Sequence, residues 1–163
     1  MSQSPRIHKV GAETESVLMV TWSDAVRDRI DLAGWISTGG SALEALKQNA
    51  VFQNARVSDY GLAVAWDEDG DIAIDSVHLR RIAEEQRPFA TEDLVAWQKT
   101  TGMSNNEAAD FLDISLNTWK NFRAGADIPK RYNMVLKAAL RDPVLVHAHF
   151  KPRVAGRPSK AAG

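Results

Sequence analysis

Apolar positions in the front half of the chain fall in short runs or alternate with polar ones. In the back half they take the three-and-four spacing of helices. Val17-Leu18-Met19-Val20-Thr21-Trp22 is an apolar, partly β-branched run closed by Ser23-Asp24, which predicts a buried strand. Arg29-Ile30-Asp31-Leu32 alternates as a half-buried strand does. After the turn signal Ser37-Thr38-Gly39-Gly40, Ser41-Ala42-Leu43-Glu44 has the form of a capping box and predicts a short helix with Leu43 and Leu46 inward. Leu62, Val64 and Trp66 alternate with Ala63 and Ala65, predicting a strand that Asp67-Glu68-Asp69-Gly70 turns into Asp71-Ile72-Ala73-Ile74 as its hairpin partner. Asp75 then caps a helix through Val77, Leu79 and Ile82.

Strand signals stop at Arg87-Pro88-Phe89. Thr91 is placed to cap a helix carrying Leu94 and Trp97, with Glu92 and Asp93 at its positive end and Thr101-Gly102 closing it. Ser104-Asn105-Asn106-Glu107 is a second capping box, opening a helix with Ala108, Phe111 and Leu112 on one face. Asp113-Ile114-Ser115 interrupts it. Ser115 caps the next helix, Leu116 to Arg123, with Trp119 and Phe122 inward and Ala124-Gly125 at its end. Pro129 opens a fourth helix bearing Tyr132, Val135, Leu136 and Leu140, which Asp142-Pro143 stops. The order of elements predicts an α+β protein: a small mixed β-sheet and helix module over residues 1–87, an all-α module over 88–142, and a basic, flexible tail over 143–163.

Composition narrows the classes. At 163 residues, with 44% hydrophobic and 25% charged positions, the chain suits one or two globular domains rather than a disordered or fibrous protein. No stretch approaches the ~20 apolar residues of a membrane span, and MSQSPRIHKV lacks the apolar core of a secretory signal; a cytoplasmic, bacterial-type protein without a membrane partner is expected. The absence of cysteine excludes disulfides and thiolate metal sites. Charge is uneven. Residues 1–87 carry 9 basic and 14 acidic side chains, residues 88–142 carry 7 of each, and the tail adds Lys151, Arg153, Arg157 and Lys160 with no acidic neighbour. Such a tail suits a polyanion partner.

Enzymatic signatures are missing: no Gly-rich phosphate loop, serine elbow or HExxH occurs, so no catalytic activity and no cofactor are expected. Asp67-Glu68-Asp69-Gly70-Asp71 lacks the spacing of a calcium loop and reads as a hairpin turn. His147 and His149 would share a face if the tail were a strand, but two ligands alone do not make a metal site.

The informative constellation is the pair of short helices around Asp113. Two helices joined by about three residues cross steeply and need a small residue where they touch, which Ala109 supplies. The turn calls for a left-handed residue, which Asp113 tolerates less readily than glycine. Ile114, Trp119 and Phe122 follow that turn residue by one, six and nine positions. Asn105 through Gly125, with Asp113-Ile114-Ser115-Leu116-Asn117-Thr118-Trp119 and Phe122-Arg123-Ala124-Gly125, resembles the Cro/repressor (lambda-repressor-like) type of helix-turn-helix. The resemblance extends over residues 88–142. It departs at Asp113, where glycine is usual, and at Trp119, where valine or isoleucine is usual. The front segment, through Phe52-Gln53-Asn54-Ala55-Arg56-Val57, Gly61-Leu62-Ala63-Val64-Ala65-Trp66 and Gly70-Asp71-Ile72, is similar to a small bacterial domain of unknown function found fused to helix-turn-helix domains.

The first resemblance implies binding of double-stranded DNA and transcriptional regulation, with Leu116 to Arg123 as recognition helix in the major groove. Ser115, Leu116, Asn117, Lys120 and Asn121 are then the residues left to face bases. Asn117 and Asn121 stand at i, i+4 on one face, and an asparagine amide pairs bidentately with adenine. Asn105, Thr118 and Arg123 suit phosphate contacts. In the tail, Gly156-Arg157-Pro158 resembles the core of an AT-hook, with Arg157 in the minor groove, although Ala155 stands where arginine is usual. A homodimer spanning two half-sites is expected, as is a role for the acidic front module in dimerisation or partner capture. The alternative is a protein-interaction role, antitoxin-like or adaptor, acting through residues 1–87.

Overall fold

The buried-strand pattern of Val17-Leu18-Met19-Val20 becomes the centre of a sheet in the computed structural model, which describes residues 3–154. Strands β1 (Ile7–Ala12), β2 (Val17–Trp22) and β3 (Arg27–Asp31) form an antiparallel sheet in that order. Val17, Leu18, Val20 and Trp22 are buried, as are Asp28 and Ile30 at alternate positions of β3. A short helix α1 (Ala33–Thr38), a 3-10 segment (Gly40–Lys47) and a single turn α2 (Asn49–Phe52) lead to a second antiparallel sheet, β4 (Arg56–Ser58), β5 (Ala63–Ala65) and β6 (Ala73–Asp75). Helix α3 (Ser76–Gln86) follows, capped by the Asp75 carboxylate, which accepts from the His78 amide at 2.9 Å.

Two local readings change here. Ser41 makes no capping hydrogen bond; the 3-10 segment starts after Gly39, and the Glu44 carboxylate pairs with Lys47 instead, at 2.8 Å. Leu43 and Leu46 are nevertheless buried, so apolar burial sets that segment where the cap does not. On α3, Leu79 and Ala83 are buried while Val77 is exposed. Gly61 is needed as glycine: its φ is +89°, and a Cβ there would stand 2.7 Å from the Ile7 carbonyl oxygen.

The chain divides into two compact units, Met1–Arg87 and Pro88–Gly163. The first has its core among Leu18, Trp22, Ile30, Phe52, Val64 and Leu79. The second has a core of its own around Leu94, Trp97, Ala108, Trp119, Phe122 and Leu136. It is built from α4 (Thr91–Thr101), α5 (Asn105–Leu112), α6 (Leu116–Arg123), α7 (Lys130–Arg141) and α8 (Pro143–His149). The architecture is α+β. Among the described residues no helix is long and apolar enough to cross a membrane.

Three expectations for the second unit need correction. Thr91 is not the cap of α4. Ala90 holds that position without an acceptor side chain, the Asp93 carboxylate accepts from the Ala90 amide at 2.8 Å, and the Thr91 hydroxyl donates to the Phe122 carbonyl at 3.4 Å. Pro129 stands at the N-cap of α7, one residue before its first turn, and Val135 and Leu140 on α7 are exposed while Leu136 and Ala139 take the buried positions. The third concerns the tail: residues 143–149 form helix α8, with Pro143 in its first turn and the Asp142 carboxylate accepting from the Val144 amide at 3.0 Å. Leu145, Val146 and Phe150 pack on the core of the unit, so the tail is not free from residue 143. His147 and His149, two apart on a helix, point about 200° apart rather than to one face.

Candidate nucleic-acid interface

Helices α5 and α6 are eight residues each, separated by Asp113, Ile114 and Ser115. The first begins with the reciprocal box read from the sequence: the Glu107 amide donates to Ser104 Oγ at 3.2 Å, and the Ser104 amide donates to Glu107 Oε1 at 2.9 Å. It ends in a Schellman arrangement. Asp113 is left-handed (φ 54°, ψ 47°), its amide donates to the Asp110 carbonyl at 3.1 Å, and the Ile114 amide donates to the Ala109 carbonyl at 3.0 Å. Ile114 lies half-buried against the core, and Ala109 is buried. Ser115 then caps α6, with its Oγ accepting from the Thr118 amide at 3.1 Å and lying 2.9 Å from Thr118 Oγ1.

Two aromatic anchors fix the rotation of α6. Trp119 is fully buried and Phe122 is 5% exposed. Trp119 packs on Trp97 of α4 with ring centroids 6.2 Å apart, and Phe122 on Tyr132 of α7 at 5.8 Å. Such aromatic pairs add roughly 0.5–1.5 kcal/mol beyond the area they bury. Because 3.6 residues make a turn, placing positions 119 and 122 inward leaves 117, 120 and 121 outward. Asn117, Lys120, Asn121 and Arg123 are exposed, together with Ser115, whereas Leu116 and Thr118 are half-buried. The outer face of α6 therefore offers two carboxamides and two cations and no acidic side chain.

Asn105 has a different place from the one its sequence position suggests. Its carboxamide oxygen accepts from Gln98 Nε2 at 2.9 Å, Trp119 Nε1 at 3.0 Å and Arg123 Nη1 at 3.1 Å. One acceptor thus joins the end of α4, the start of α5 and both turns of α6, and the oxygen is committed within the unit. Gln98 extends the joint by donating to the Met103 carbonyl at 3.0 Å. Nothing in the sequence singles out Gln98, a polar residue in a helical run; the partners it meets come from other elements. Arg157 lies outside the described residues, so the AT-hook reading has no structural counterpart here.

No protein-family model matches the chain, and no curated protein matches it. A crystal structure named "Putative DNA Binding Protein" from Nitrosomonas europaea is similar to it over 96% of this chain and 100% of its own, with 20% sequence identity and a TM-score of 0.47.

Proposed function

We propose that the second unit binds double-stranded DNA as a helix-turn-helix module, that α6 reads base edges in the major groove, and that the protein regulates transcription. One observation carries this reading: the turn at Asp113 and the anchors Trp119 and Phe122 expose Asn117, Lys120 and Asn121 on the outer face of a short capped helix. A helix with its side chains is about 10–12 Å across, and the major groove about 12 Å wide. Asn117 and Asn121 supply the donor–acceptor pair that adenine presents, and Lys120 reaches guanine or a phosphate. Leu116 touches a thymine methyl. Ser115, exposed at the start of the helix, faces bases with them, and Thr118 and Arg123 lie at the edges of that face, where phosphates run. With its oxygen held internally, Asn105 offers its NH2 group to a phosphate. A homodimer places two such helices on half-sites about one helical turn apart, which sedimentation of the chain with and without duplex measures.

Selection of bound sites from random duplexes identifies the preferred sequence. Fluorescence anisotropy then separates reading from charge. Asn117→Ala weakens binding to the selected site by roughly tenfold, the 1–3 kcal/mol of a bidentate base contact, and binding to unrelated duplex by less than about twofold. Equal losses on both duplexes would reduce α6 to a phosphate contact.

The alternative, partner capture by the first unit, has one observation in its favour. Tyr60 is 90% exposed and held at φ 54°, next to Asp59 at φ 49°. Two consecutive left-handed residues other than glycine are a strained arrangement that persists where the surroundings enforce it. Co-purification of a protein lost on Tyr60→Ala would support that role.

A further inference from the structure

The second unit carries its own electrostatic handicap. Residues 88–142 have as many acidic as basic side chains, and Glu107 and Asp110 sit on successive turns of α5. The N-terminus of that helix is, on the reading above, a phosphate contact. Asp110 lies five residues beyond Asn105, about 7.5 Å along the axis at 1.5 Å per residue. That displacement is close to the screening length of roughly 8–10 Å at moderate salt, so a bare carboxylate there repels a bound phosphate backbone.

The C-terminal arm meets both carboxylates. Phe150 packs on the core and holds the chain at the end of α8. Three residues later Arg153 places its guanidinium on Asp110 as a two-pronged pair, Nε to Oδ2 at 2.7 Å and Nη2 to Oδ1 at 2.9 Å. Its backbone amide donates to Glu107 Oε2 at 3.0 Å. Glu107 thus bonds the start of α5 through one oxygen and the arm through the other. The contacts hold Asp110 below the ordinary aspartate range, chiefly through the Arg153 hydrogen bond, and Glu107 below the glutamate range, through the Ser104 amide first and the Arg153 amide next. Both acids are charged at neutral pH; the Arg153 guanidinium offsets the charge of Asp110, while its uncharged backbone amide occupies one Glu107 oxygen.

We propose that Arg153 is a positioning residue for DNA binding, which masks the Asp110 carboxylate and through its amide holds that of Glu107, so that the phosphate backbone can approach the start of α5. Arg153 acts through those two side chains rather than by touching the duplex. The inference rests on the DNA-binding reading and adds a residue 30 positions beyond Arg123, the end of α6.

A charge cycle in the full chain tests it, read by anisotropy with a labelled duplex of about 20 base pairs carrying the selected site, enough for two half-sites. Arg153→Ala weakens binding roughly threefold to tenfold at low salt, and the loss fades as salt rises because screening replaces the mask. Arg153→Lys keeps the charge without the planar fork and recovers most of the affinity. Asp110→Asn in the Arg153→Ala background restores binding to within about twofold of the parent. Helix content by circular dichroism stays at the parent level, since the Arg153–Asp110 pair is exposed and such pairs add little to stability. The inference is overturned if Arg153→Ala binds like the parent. It is also overturned if the loss persists undiminished in the Asp110→Asn background, which would make Arg153 a direct phosphate contact. A parent chain that holds no duplex at all sinks the DNA reading itself, a different result from either.

Discussion

Asp28 is the one acidic side chain among the described residues that is buried, and its alternation with Ile30 in β3 turns it inward. The burial is compensated. Arg87 donates to it through Nε at 2.8 Å and Nη2 at 2.7 Å, and Trp22 Nε1 donates to it at 2.7 Å. The Arg87 hydrogen bonds, more than the opposing desolvation, hold the Asp28 carboxyl below the ordinary 3.8 of an aspartate. Its stabilising contribution is therefore fully present above pH 3.8 and is lost as pH falls through its lower folded value. Asp28→Asn lowers the stability of the first unit by about 1–2 kcal/mol at neutral pH, discounted for the partly exposed guanidinium. The difference between the two chains narrows as pH falls below 3.8 and through the lower value at which the folded aspartate takes up its proton. Urea titrations followed by tryptophan fluorescence at neutral and acid pH measure both effects. Neither burial nor pairing was visible in Arg27-Asp28-Arg29, since Arg87 reaches it from 59 residues away.

At the scale of elements, the turn between α5 and α6 was legible because its chemistry is local. The serine caps, the small Ala109 and the left-handed Asp113 each follow from a neighbour within five residues. Asp113 also leaves room for improvement. At φ 54° an L side chain is strained where glycine is not, so Asp113→Gly stabilises the second unit by about 0.5–1 kcal/mol, a rise of a few degrees in its thermal midpoint by circular dichroism. A fall in the midpoint would show that the carboxylate makes a contribution larger than the strain. Elements whose reasons are not local were missed or altered. Strand β1 exposes three of its six residues and leaves only Ile7 buried, so its strand character comes from pairing with β2 rather than from its pattern. Helix α8 contains Val144, Val146 and two histidines, poor helix formers that read as extended; the Asp142 cap and packing of Leu145 and Val146 override that preference. Ser41 shows the converse, a capping sequence whose hydrogen bonds do not form.

For the whole molecule, two separate cores bear on how the chain can be cut. Leu18, Trp22 and Leu79 belong to one, and Trp97, Trp119 and Leu136 to the other, with Trp97 Nε1 donating to the Leu136 carbonyl at 3.0 Å to tie α4 to α7. A fragment of residues 88–163 is therefore expected to fold alone with a cooperative thermal transition; on the proposed DNA-binding function it keeps its affinity for unrelated duplex, and its affinity for a two-half-site duplex drops if the front unit dimerises the protein. Circular dichroism and anisotropy on the fragment check these outcomes. A non-cooperative melt would show that the second core needs the rest of the chain.

The amino-acid sequence alone determined the α+β class, the inward aromatics of α6 and the caps that start α5 and α6, because hydrophobic period and capping act over one or two helical turns. Tertiary structure decided the partners that lie far apart in the chain: Arg87 on Asp28, Asn105 under Trp119 and Arg123, and Arg153 on Asp110. Charge and hydrogen-bonding capacity can be read from composition, but which groups meet depends on how packed elements bring distant residues within about 3 Å of each other.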